Sequence, residues 1–306
     1  MNERYYSFNI YLRKIFGERV QRISLNAGFA CPNLDGAKSR RGCVYCNNKG
    51  FSRFAETGLD LRQQIADSIE FYTKRLGVKK FIAYFQAFSN TYADCRTLKE
   101  SYDLIKEFPQ VCGLFISTRP DCVDEEKIKL IAGYARDYLV WIEYGLQTTQ
   151  NPVLTSINRN HSYEDFLAAL ALTRKYGINV GAHLIFGLPG SSDQQIAEDT
   201  ERIANLDIQG VKFHVLHVLR QTELESQYQK GSLKLLDQAA YVKIVCDFLE
   251  RIPPKWVILR LVSDADRDYL VAPDWINNKP AVIEEIRKEL ARRETFQGSY
   301  YEGNCS

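Results

Sequence analysis

The sequence of 306 residues has no long hydrophobic run. No stretch reaches the roughly 20 consecutive apolar residues that cross a bilayer. The first residues, MNERYYSFNIYLRKIFG, lack the apolar run and the small-residue cleavage site of a signal peptide. We therefore expect a cytoplasmic protein with no membrane partner, in which the eight cysteines are thiols or metal ligands rather than disulfides.

A strong overall charge is also absent. The net charge is only +2, which gives no indication for or against a nucleic-acid partner. Residues 1–53, however, carry ten Lys and Arg against three acids, a charge of +7 that leaves −5 for the rest. Such a segment attracts an anionic substrate and compensates thiolates, although a solvated basic face has the same pattern.

The sequence has no linker-like segment, internal repeat or low-complexity stretch. Its composition, 45% hydrophobic and 25% charged, is typical of globular proteins. We therefore expect one main core.

Three cysteines lie close together in the segment CPNLDGAKSRRGCVYCNNKGF, and no fourth cysteine accompanies them. Cys31, Cys43 and Cys46 have the spacing C-x11-C-x2-C. Four protein ligands close a structural zinc site or an electron-transfer cluster, whereas three leave one position free for a small molecule. The pattern of three cysteines therefore favours a reactive metal site over a structural one. The other five cysteines form no C-x-x-C pair that would indicate a second cluster: Cys95, Cys112, Cys122, Cys246 and Cys305.

Apolar, β-rich runs alternate with helical patterns along the chain. Helix starts are predicted at capping residues, and six strands are each followed by a helical segment, which indicates a parallel sheet wound one way. A run at 256–262 and a helix at 281–292 extend or cover this sheet. We therefore predict an α/β fold, a partial (β/α)6 TIM-like barrel. The predicted strands are 20–25, 79–88, 113–118, 138–146, 178–186 and 211–219, and the capping residues are Asp60, Thr97 with Glu100, Asp124, Ser162 and Ser192.

Polar residues follow the predicted strands at their carboxyl ends, where barrels of this type bind ligands. Strand one ends at the cysteines, and strand four carries Glu143, Gly145 and Gln147 on one face because side chains alternate. The other strand ends carry Gln86, Ser89, Asn90 and Thr91, then Ser117, Thr118, Arg119 and Asp121, and finally His183, His214 and His217.

These motifs, in this order, resemble the YhcC/YtqA-like branch of the radical S-adenosylmethionine (SAM) enzymes. The resemblance covers nearly the whole chain, through the cysteine segment and then FQAFSNTYAD, ISTRPDC, IEYGLQTTQNPVLTSINRNH, HLIFGLPG and FHVLHVL. The eleven residues between Cys31 and Cys43 depart from the usual C-x3-C and are a mark of this branch. No segment resembles the acetyltransferase domain of the related elongator catalytic subunits.

The resemblance implies a radical SAM core over residues 1–250, with the cluster loop at 31–46, and a C-terminal extension over 251–306. It implies a 4Fe-4S cluster on Cys31, Cys43 and Cys46 whose fourth iron binds SAM. An electron from a flavodoxin- or ferredoxin-type donor then produces a 5′-deoxyadenosyl radical that abstracts hydrogen. The implied SAM-binding residues are Tyr45, Gln86, Ser89, Asn90, Ser117, Glu143, Gln147, Arg159, His183 and Gly187.

The resemblance further implies tRNA as substrate, with remodelling of a wobble uridine from carboxymethylaminomethyl to aminomethyl. Two alternatives remain at this point. One is a radical SAM enzyme acting on a small metabolite or protein side chain, and the other is a non-enzymatic zinc or iron-sulfur module with four protein ligands.

Several single residues also have two interpretations. Lys212 either contacts a substrate phosphate or snorkels from a strand end. Cys122 and Cys305 are hydrogen donors to a substrate radical, or a small buried hydrophobe and a residue of a frayed tail. The three histidines after strands five and six either line a cavity or are hydrogen-bonded in the core.

Overall fold

Seven parallel strands and the helices that follow them make up most of the chain. The computed structural model describes residues 3–47, 59–263 and 265–303. The strands are β1 (Val20–Leu25), β2 (Lys80–Phe85), β3 (Val111–Thr118), β4 (Leu139–Gln147), β5 (Asn179–Phe186), β6 (Gly210–Val215), β7 (Val218–Leu219), β8 (Val257–Arg260) and β9 (Leu270–Ala272). The helices are α1 (Phe8–Phe16), α2 (Leu61–Leu76), α3 (Cys95–Asp103), α4 (Glu125–Ala132), α5 (Asn151–Ser156), α6 (Tyr163–Lys175), α7 (Asp193–Ala204), α8 (Glu223–Gln229), α9 (Gln238–Arg251) and α10 (Lys279–Arg292).

The large sheet follows the chain order β1-β2-β3-β4-β5-β6-β8, and every neighbouring pair is parallel. It curls into a half-barrel, which confirms the predicted partial TIM-like barrel. The run at 256–262 contributes the seventh strand, β8, and leaves β1 and β8 as the two edges. A small antiparallel pair, β7 with β9, lies outside this sheet.

Most predicted helix starts are confirmed by their capping hydrogen bonds. Asp60 and Asp124 cap α2 and α4, and Ser162 and Ser192 form capping boxes on α6 and α7. The prediction at Thr97 was wrong. Helix α3 begins one turn earlier because the Asp94 carboxylate accepts hydrogen bonds from the Thr97 backbone N–H and hydroxyl, at 2.9 and 2.8 Å.

The two faces of the large sheet bury different kinds of side chain. The outer face packs against the helices through residues such as Phe85, Ile142 and Phe213. The inner face begins with an apolar layer around Trp141, Phe115 and Ile82 near the amino ends of the strands. Because side chains alternate, β4 presents Trp141, Glu143, Gly145 and Gln147 in succession to the interior. The interior therefore changes from apolar to polar toward the carboxyl ends.

Helix α1, which the sequence patterns did not predict, closes the amino end of the half-barrel. It contacts both edge strands, and Leu12 packs with Val20 and Leu259 in the inner apolar layer. Ser7 caps the helix and Gly17 ends it in the left-handed conformation. The backbone N–H of Ile258 donates to Tyr6 at 2.9 Å. The two edges of the open sheet are thus connected through α1 at this end.

The C-terminal segment is bonded to the same end of the barrel. Gln297 accepts a hydrogen bond from the Tyr6 backbone N–H at 2.8 Å and donates to the carbonyls of Pro253 and Trp256. The predicted domain boundary at residue 250 stays a prediction. Among the described residues no helix combines the length and the apolarity that spanning a membrane requires.

Gly210 offers a test of the close contact between β6 and β8. A Cβ atom at this position would lie 2.6 Å from the Val257 carbonyl oxygen and 3.2 Å from the Trp141 ring. We expect Gly210→Ala to lower the free energy of unfolding by about 1–3 kcal/mol, the usual cost of overpacking. Urea denaturation measures this change. The matched control is Gly133→Ala, where the new Cβ meets no atom within 4 Å and stability is expected to hold or rise slightly. Equal stability of the two variants would contradict the interpretation.

Candidate active site

The three cysteines of the C-x11-C-x2-C segment line one cavity of about 140 Å³ at the carboxyl ends of the strands. Cys43 is buried, and Cys31 and Cys46 are partly exposed. The cavity is also lined by nine residues from the strands and the loops after them: Phe88, Ser89, Ser117, Thr118, Arg119, Gly145, Gln147, Arg159 and His183. The sequence therefore brings its three thiols to the place where a barrel of this type binds ligands.

Asparagine side chains hold the cysteine loop against the segment after β4. The Asn33 amide donates to the Asn158 carbonyl at 2.7 Å and to the Cys43 sulfur at 3.4 Å. The Asn158 amide donates in return to the Gly42 carbonyl at 2.5 Å. Asn158 and Asn160 both have positive φ, which asparagine tolerates better than most residues. This exchange fixes the position of Cys43 relative to β4.

Arg159 lies between the cysteine loop and β4, and all three of its guanidinium nitrogens have partners. Nη1 donates to the Cys43 sulfur at 3.6 Å, Nη2 to the Gly145 carbonyl at 2.8 Å and Nε to His161 at 2.9 Å. The approach requires glycine at 145, because a Cβ there would lie 2.5 Å from Nη2. Burial alone would lower the pKa of Arg159, but Tyr45 and Cys43 outweigh it and raise that pKa. A fixed cation thus stands beside one thiol.

The electrostatics of the three cavity thiols favour the binding of a positively charged group. Burial raises the pKa of Cys46, and the nearby Cys43 and Cys31 raise it further. Three thiolates in one cavity therefore repel each other, and bound iron compensates this repulsion because metal binding deprotonates its thiol ligands. Burial, followed by Cys43, also raises the pKa of Tyr45 well above its usual range, so its phenol stays neutral beside the sulfurs.

The structure groups some of the predicted SAM-binding residues and separates others. Six of them line the cavity with the cysteines: Tyr45, Ser89, Ser117, Gln147, Arg159 and His183. Four lie outside the lining, and their role stays a prediction: Gln86, Asn90, Glu143 and Gly187. The Asn90 amide donates to the Ser117 carbonyl at 2.8 Å, so it supports a residue of the lining.

Arg119 is a cavity residue that the site prediction missed. Its Nε and Nη2 form a bidentate pair with Asp121 at 2.8 Å each, and Lys38 of the cysteine loop contacts the same carboxylate at 2.5 Å. Burial would raise the pKa of Asp121, but the two cations lower it to about 2. The third nitrogen, Nη1, is buried with no hydrogen-bond partner among the described residues. Its place at the end of β3, in the motif STRPD, was the available signal.

A network of buried charges lies one step below the cavity. The Glu143 carboxylate, fully buried, accepts hydrogen bonds from Tyr84 at 2.9 Å, Lys212 at 2.9 Å and His183 at 2.5 Å. Arg22 contacts its other oxygen at 3.4 Å. Burial would raise the pKa of Glu143, but Lys212, His183 and Arg22 hold it well below its usual range. The carboxylate is therefore ionised at neutral pH.

The interpretation that Lys212 snorkels from a strand end was wrong, and its contact with a substrate phosphate stays a prediction. Its side chain is only 1% exposed, and its ammonium donates to the Tyr84 hydroxyl at 2.6 Å as well as to Glu143. Of the three histidines, His183 combines both predicted roles, because it lines the cavity and bonds to Glu143. Burial and then Lys212 lower the pKa of His183 to about 4, so this ring is neutral near pH 7. Cys122 is buried, and Cys305 lies outside the described residues.

The zinc alternative finds no matching geometry in the described part of the chain. Within residues 3–47, 59–263 and 265–303, no three or more His, Cys, Asp or Glu side chains are arranged as ligands of one metal ion. The three thiols do line one cavity. The fold and the site together define a parallel half-barrel with a thiol-lined cavity at the carboxyl ends of its strands.

Comparison with known proteins names the family. Residues 38–203 match the model of the Radical SAM superfamily, and residues 208–292 match the Radical SAM C-terminal domain. The chain therefore belongs to the radical SAM superfamily and is an iron-sulfur-dependent enzyme. A 4Fe-4S cluster and SAM are its cofactors. The lining thiols and the buried cations beside them fit this pair, because thiolates bind iron and arginines bind a carboxylate.

Two full-length relatives place the chain in the predicted branch. YtqA of Bacillus subtilis is 37% identical over 98% of this chain and 94% of its own length. YhcC of Escherichia coli K12 is 31% identical over 91% of this chain and 90% of its own length. A partial match, 29% identical over 54% of this chain, is to the tRNA uridine(34) acetyltransferase of Methanocaldococcus jannaschii, of which it covers 30%.

One solved structure has a similar fold. It is the archaeal Elp3 of Methanocaldococcus infernus, with a TM-score of 0.62 and 19% sequence identity. The match covers 91% of this chain and 64% of that one. At this identity the likeness concerns the fold alone. It supports the half-barrel, and the activity of Elp3 is not transferred from it.

The buried Glu143–Lys212 pair allows a test of what holds the interior together. We expect Lys212→Met to lower the free energy of unfolding by about 3–5 kcal/mol, because it removes the closest cation of a buried carboxylate and leaves it with the longer contact to Arg22. The double variant with Glu143→Gln is expected to recover much of this loss. Thermal denaturation of the single and double variants measures both effects.

The control variant is Lys243→Met, which removes an exposed pair with Asp247 at 2.7 Å. Surface pairs contribute little, so its melting temperature is expected to stay near that of the wild type. A Lys212 variant as stable as this control would show that the buried pair is not needed.

Proposed function

We propose that the three thiols of Cys31, Cys43 and Cys46 hold the cluster and that the protein modifies a wobble uridine of tRNA. The observation that carries the first part is that the three thiols, and no other cysteine of the described residues, line the cavity at the strand ends. When bound, the cluster and SAM supply a 5′-deoxyadenosyl radical for hydrogen abstraction from the substrate. The proposed change is from carboxymethylaminomethyl to aminomethyl.

The residues around the cavity have separate tasks in this proposal. Arg159 stabilises the Cys43 thiolate, and the spare Nη1 of Arg119 is placed to receive the carboxylate of SAM. Tyr45 offers an aromatic surface for adenine. The backbone of Gln147, with a φ of 76°, sets the direction of its side-chain amide on the cavity wall. We assign this amide to the ribose of SAM. His183, neutral and fixed by Glu143, completes the wall.

Support for RNA as the substrate comes from charge and from one group of relatives. The cysteine loop exposes Lys38, Arg40 and Arg41 beside the cavity, where they can contact phosphates. The partially matching archaeal protein is by name a tRNA uridine(34) acetyltransferase, and the match is confined to about half of this chain. We propose that an external reductant of the flavodoxin or ferredoxin type supplies the electron, in the cytoplasm.

The cluster assignment is tested by replacing one thiol. After anaerobic reconstitution with iron and sulfide, the wild type is expected to release 5′-deoxyadenosine from SAM once reductant is added. Cys43→Ala is expected to lose both bound iron and this product, because the two remaining thiolates are too few to hold the cluster. Iron content and chromatography of the product give the two readouts. The control is Cys112→Ala, at the amino-terminal end of β3 and away from the cavity, which should retain both. Full product formation by the Cys43 variant would exclude this ligand set.

The substrate is tested in cells by mass spectrometry of tRNA nucleosides. A strain lacking the gene is expected to accumulate carboxymethylaminomethyluridine and to lose nucleosides that derive from aminomethyluridine. The wild-type gene should restore the profile, and the Cys43→Ala gene should not. A profile that the deletion leaves unchanged would rule out the RNA substrate and leave the radical SAM chemistry intact.

A further inference from the structure

A carboxylate outside the cavity holds Arg119, which lines it. Asp121 accepts two hydrogen bonds from Arg119, one from Nε and one from Nη2, each at 2.8 Å. Both side chains are buried, with 2% of Arg119 and 6% of Asp121 exposed. Neither Asp121 nor Lys38, which contacts the same carboxylate, belongs to the described residues that line the cavity. The carboxylate therefore acts on the cavity through Arg119.

The sequence of residues 119–122, R-P-D-C, explains how two residues so close in the chain form this pair. Arg119 has an extended backbone, with φ −88° and ψ 146°, as expected for a residue before proline. Pro120 then begins a short 3₁₀ turn, and the Cys122 backbone N–H donates to the Arg119 carbonyl at 3.2 Å. The Thr91 hydroxyl donates to the Cys122 carbonyl at 2.8 Å. The pair therefore rests on a backbone that the proline and these hydrogen bonds constrain.

The bidentate pair determines which donor of Arg119 is left for a ligand. A guanidinium is planar, so binding Nε and Nη2 to one carboxylate also fixes the direction of Nη1. This Nη1 is buried and has no hydrogen-bond partner among the described residues. Arg159, which also lines the cavity, differs because all three of its nitrogens have protein partners. Arg119 thus has a spare buried donor for an anionic group.

Lys38 connects the same carboxylate to the cysteine loop. Its ammonium contacts Asp121 at 2.5 Å and donates to the Asn160 carbonyl at 2.9 Å. Lys38 lies between Cys31 and Cys43 in the sequence. This one ammonium therefore joins the loop that carries the thiols to the turn after β3 and to the segment after β4.

We propose that Asp121 is a positioning residue for SAM, which holds the spare Nη1 of Arg119 in the orientation that receives the carboxylate of SAM. The inference rests on the proposed function, which assigns that carboxylate to Arg119. An arginine that a buried carboxylate already holds loses less side-chain freedom when the ligand binds, so preorganisation raises the affinity. Lys38 supports the same orientation from the cysteine loop.

The test compares SAM with decarboxylated SAM, which keeps the sulfonium and the amine and lacks the carboxylate. Dissociation constants are measured by equilibrium dialysis on the reconstituted protein without reductant, so that neither compound is cleaved. For Asp121→Asn we expect the affinity for SAM to fall by about tenfold or more, as for a lost charge-assisted hydrogen bond. The affinity for decarboxylated SAM should change by less than about twofold. A merely structural role of Asp121 would weaken both compounds alike.

The matched control for Asp121→Asn is Glu107→Gln. It removes the carboxylate of another bidentate pair, the exposed one with Arg62 at 2.6 and 2.7 Å. Both dissociation constants are expected to stay at the wild-type values, since surface pairs contribute little. All variants are compared at equal iron content.

Lys38→Met covers the case that the Asp121 variant does not fold. It leaves the pair of Arg119 and Asp121 in place and is expected to weaken SAM alone, by about two- to fivefold, as for a partly exposed ion pair. Its control is Lys80→Met. Lys80 is 38% exposed, against 39% for Lys38, and it pairs with Glu18 at 3.2 Å at the start of β2.

The outcomes separate the inference from the function on which it rests. An Asp121 variant that binds SAM as the wild type does, or that weakens both compounds equally, refutes the positioning role and leaves the assignment of Arg119 standing. If that variant does not fold, a Lys38 variant that matches Lys80→Met refutes the role instead. Arg119→Gln tests the assignment itself and is expected to lose the selectivity for SAM. Retained selectivity there would refute the proposed contact of Arg119 with SAM, and the inference with it.

Discussion

The buried Glu143 carboxylate is the interaction on which the interior of the barrel depends. It lies on β4, and its partners Arg22, Tyr84, His183 and Lys212 come from β1, β2, β5 and β6. One anionic group thus joins five strands of a sheet that does not close. An apolar filling would need no such partners, but it would also leave the wall below the cavity without charge. The network therefore serves both the packing of the half-barrel and the polarity of its site.

The interior can carry this charge because the layers on either side of it differ. Toward the amino ends, Trp141 and Phe115 are stacked 5.8 Å apart, and α1 covers them. Toward the carboxyl ends, Gly145 leaves room for Arg159, which reaches the Cys43 sulfur. An apolar layer therefore lies on the amino side of Glu143, and the cavity lies on its carboxyl side. The low dielectric of the lower layer strengthens the contacts of Glu143, and the thiols of Cys31 and Cys46 are partly exposed in the cavity.

Sequence patterns predict much of this arrangement. The features that they do not predict depend on contacts between residues far apart in the chain. Strand order, most helix caps and the place of the thiols are local or periodic features, so they were predictable. Lys212 was misread because nothing beside it in the sequence announces Glu143, which is 69 residues away. Helix α1 was missed although its cap Ser7 and its terminating Gly17 are local signals, whereas its contact with two distant edge strands is visible only in the structure. Arg119 belongs to a visible motif, but only the structure shows that its Nη1 has no hydrogen-bond partner among the described residues.

The backbone around the cavity supports the view that the site is built at a cost to local stability. Four of the six non-glycine residues with positive φ among the described residues lie at its rim: Phe88, Gln147, Asn158 and Asn160. Each such conformation costs about 1–3 kcal/mol and persists only where surrounding contacts impose it. Here the contacts are visible, since Asn33 and Asn158 bind each other's loops and β4 shifts register between Gly145 and Gln147. The rigid barrel below supplies the stability, and the strained rim above fixes the side chains that face the cofactors.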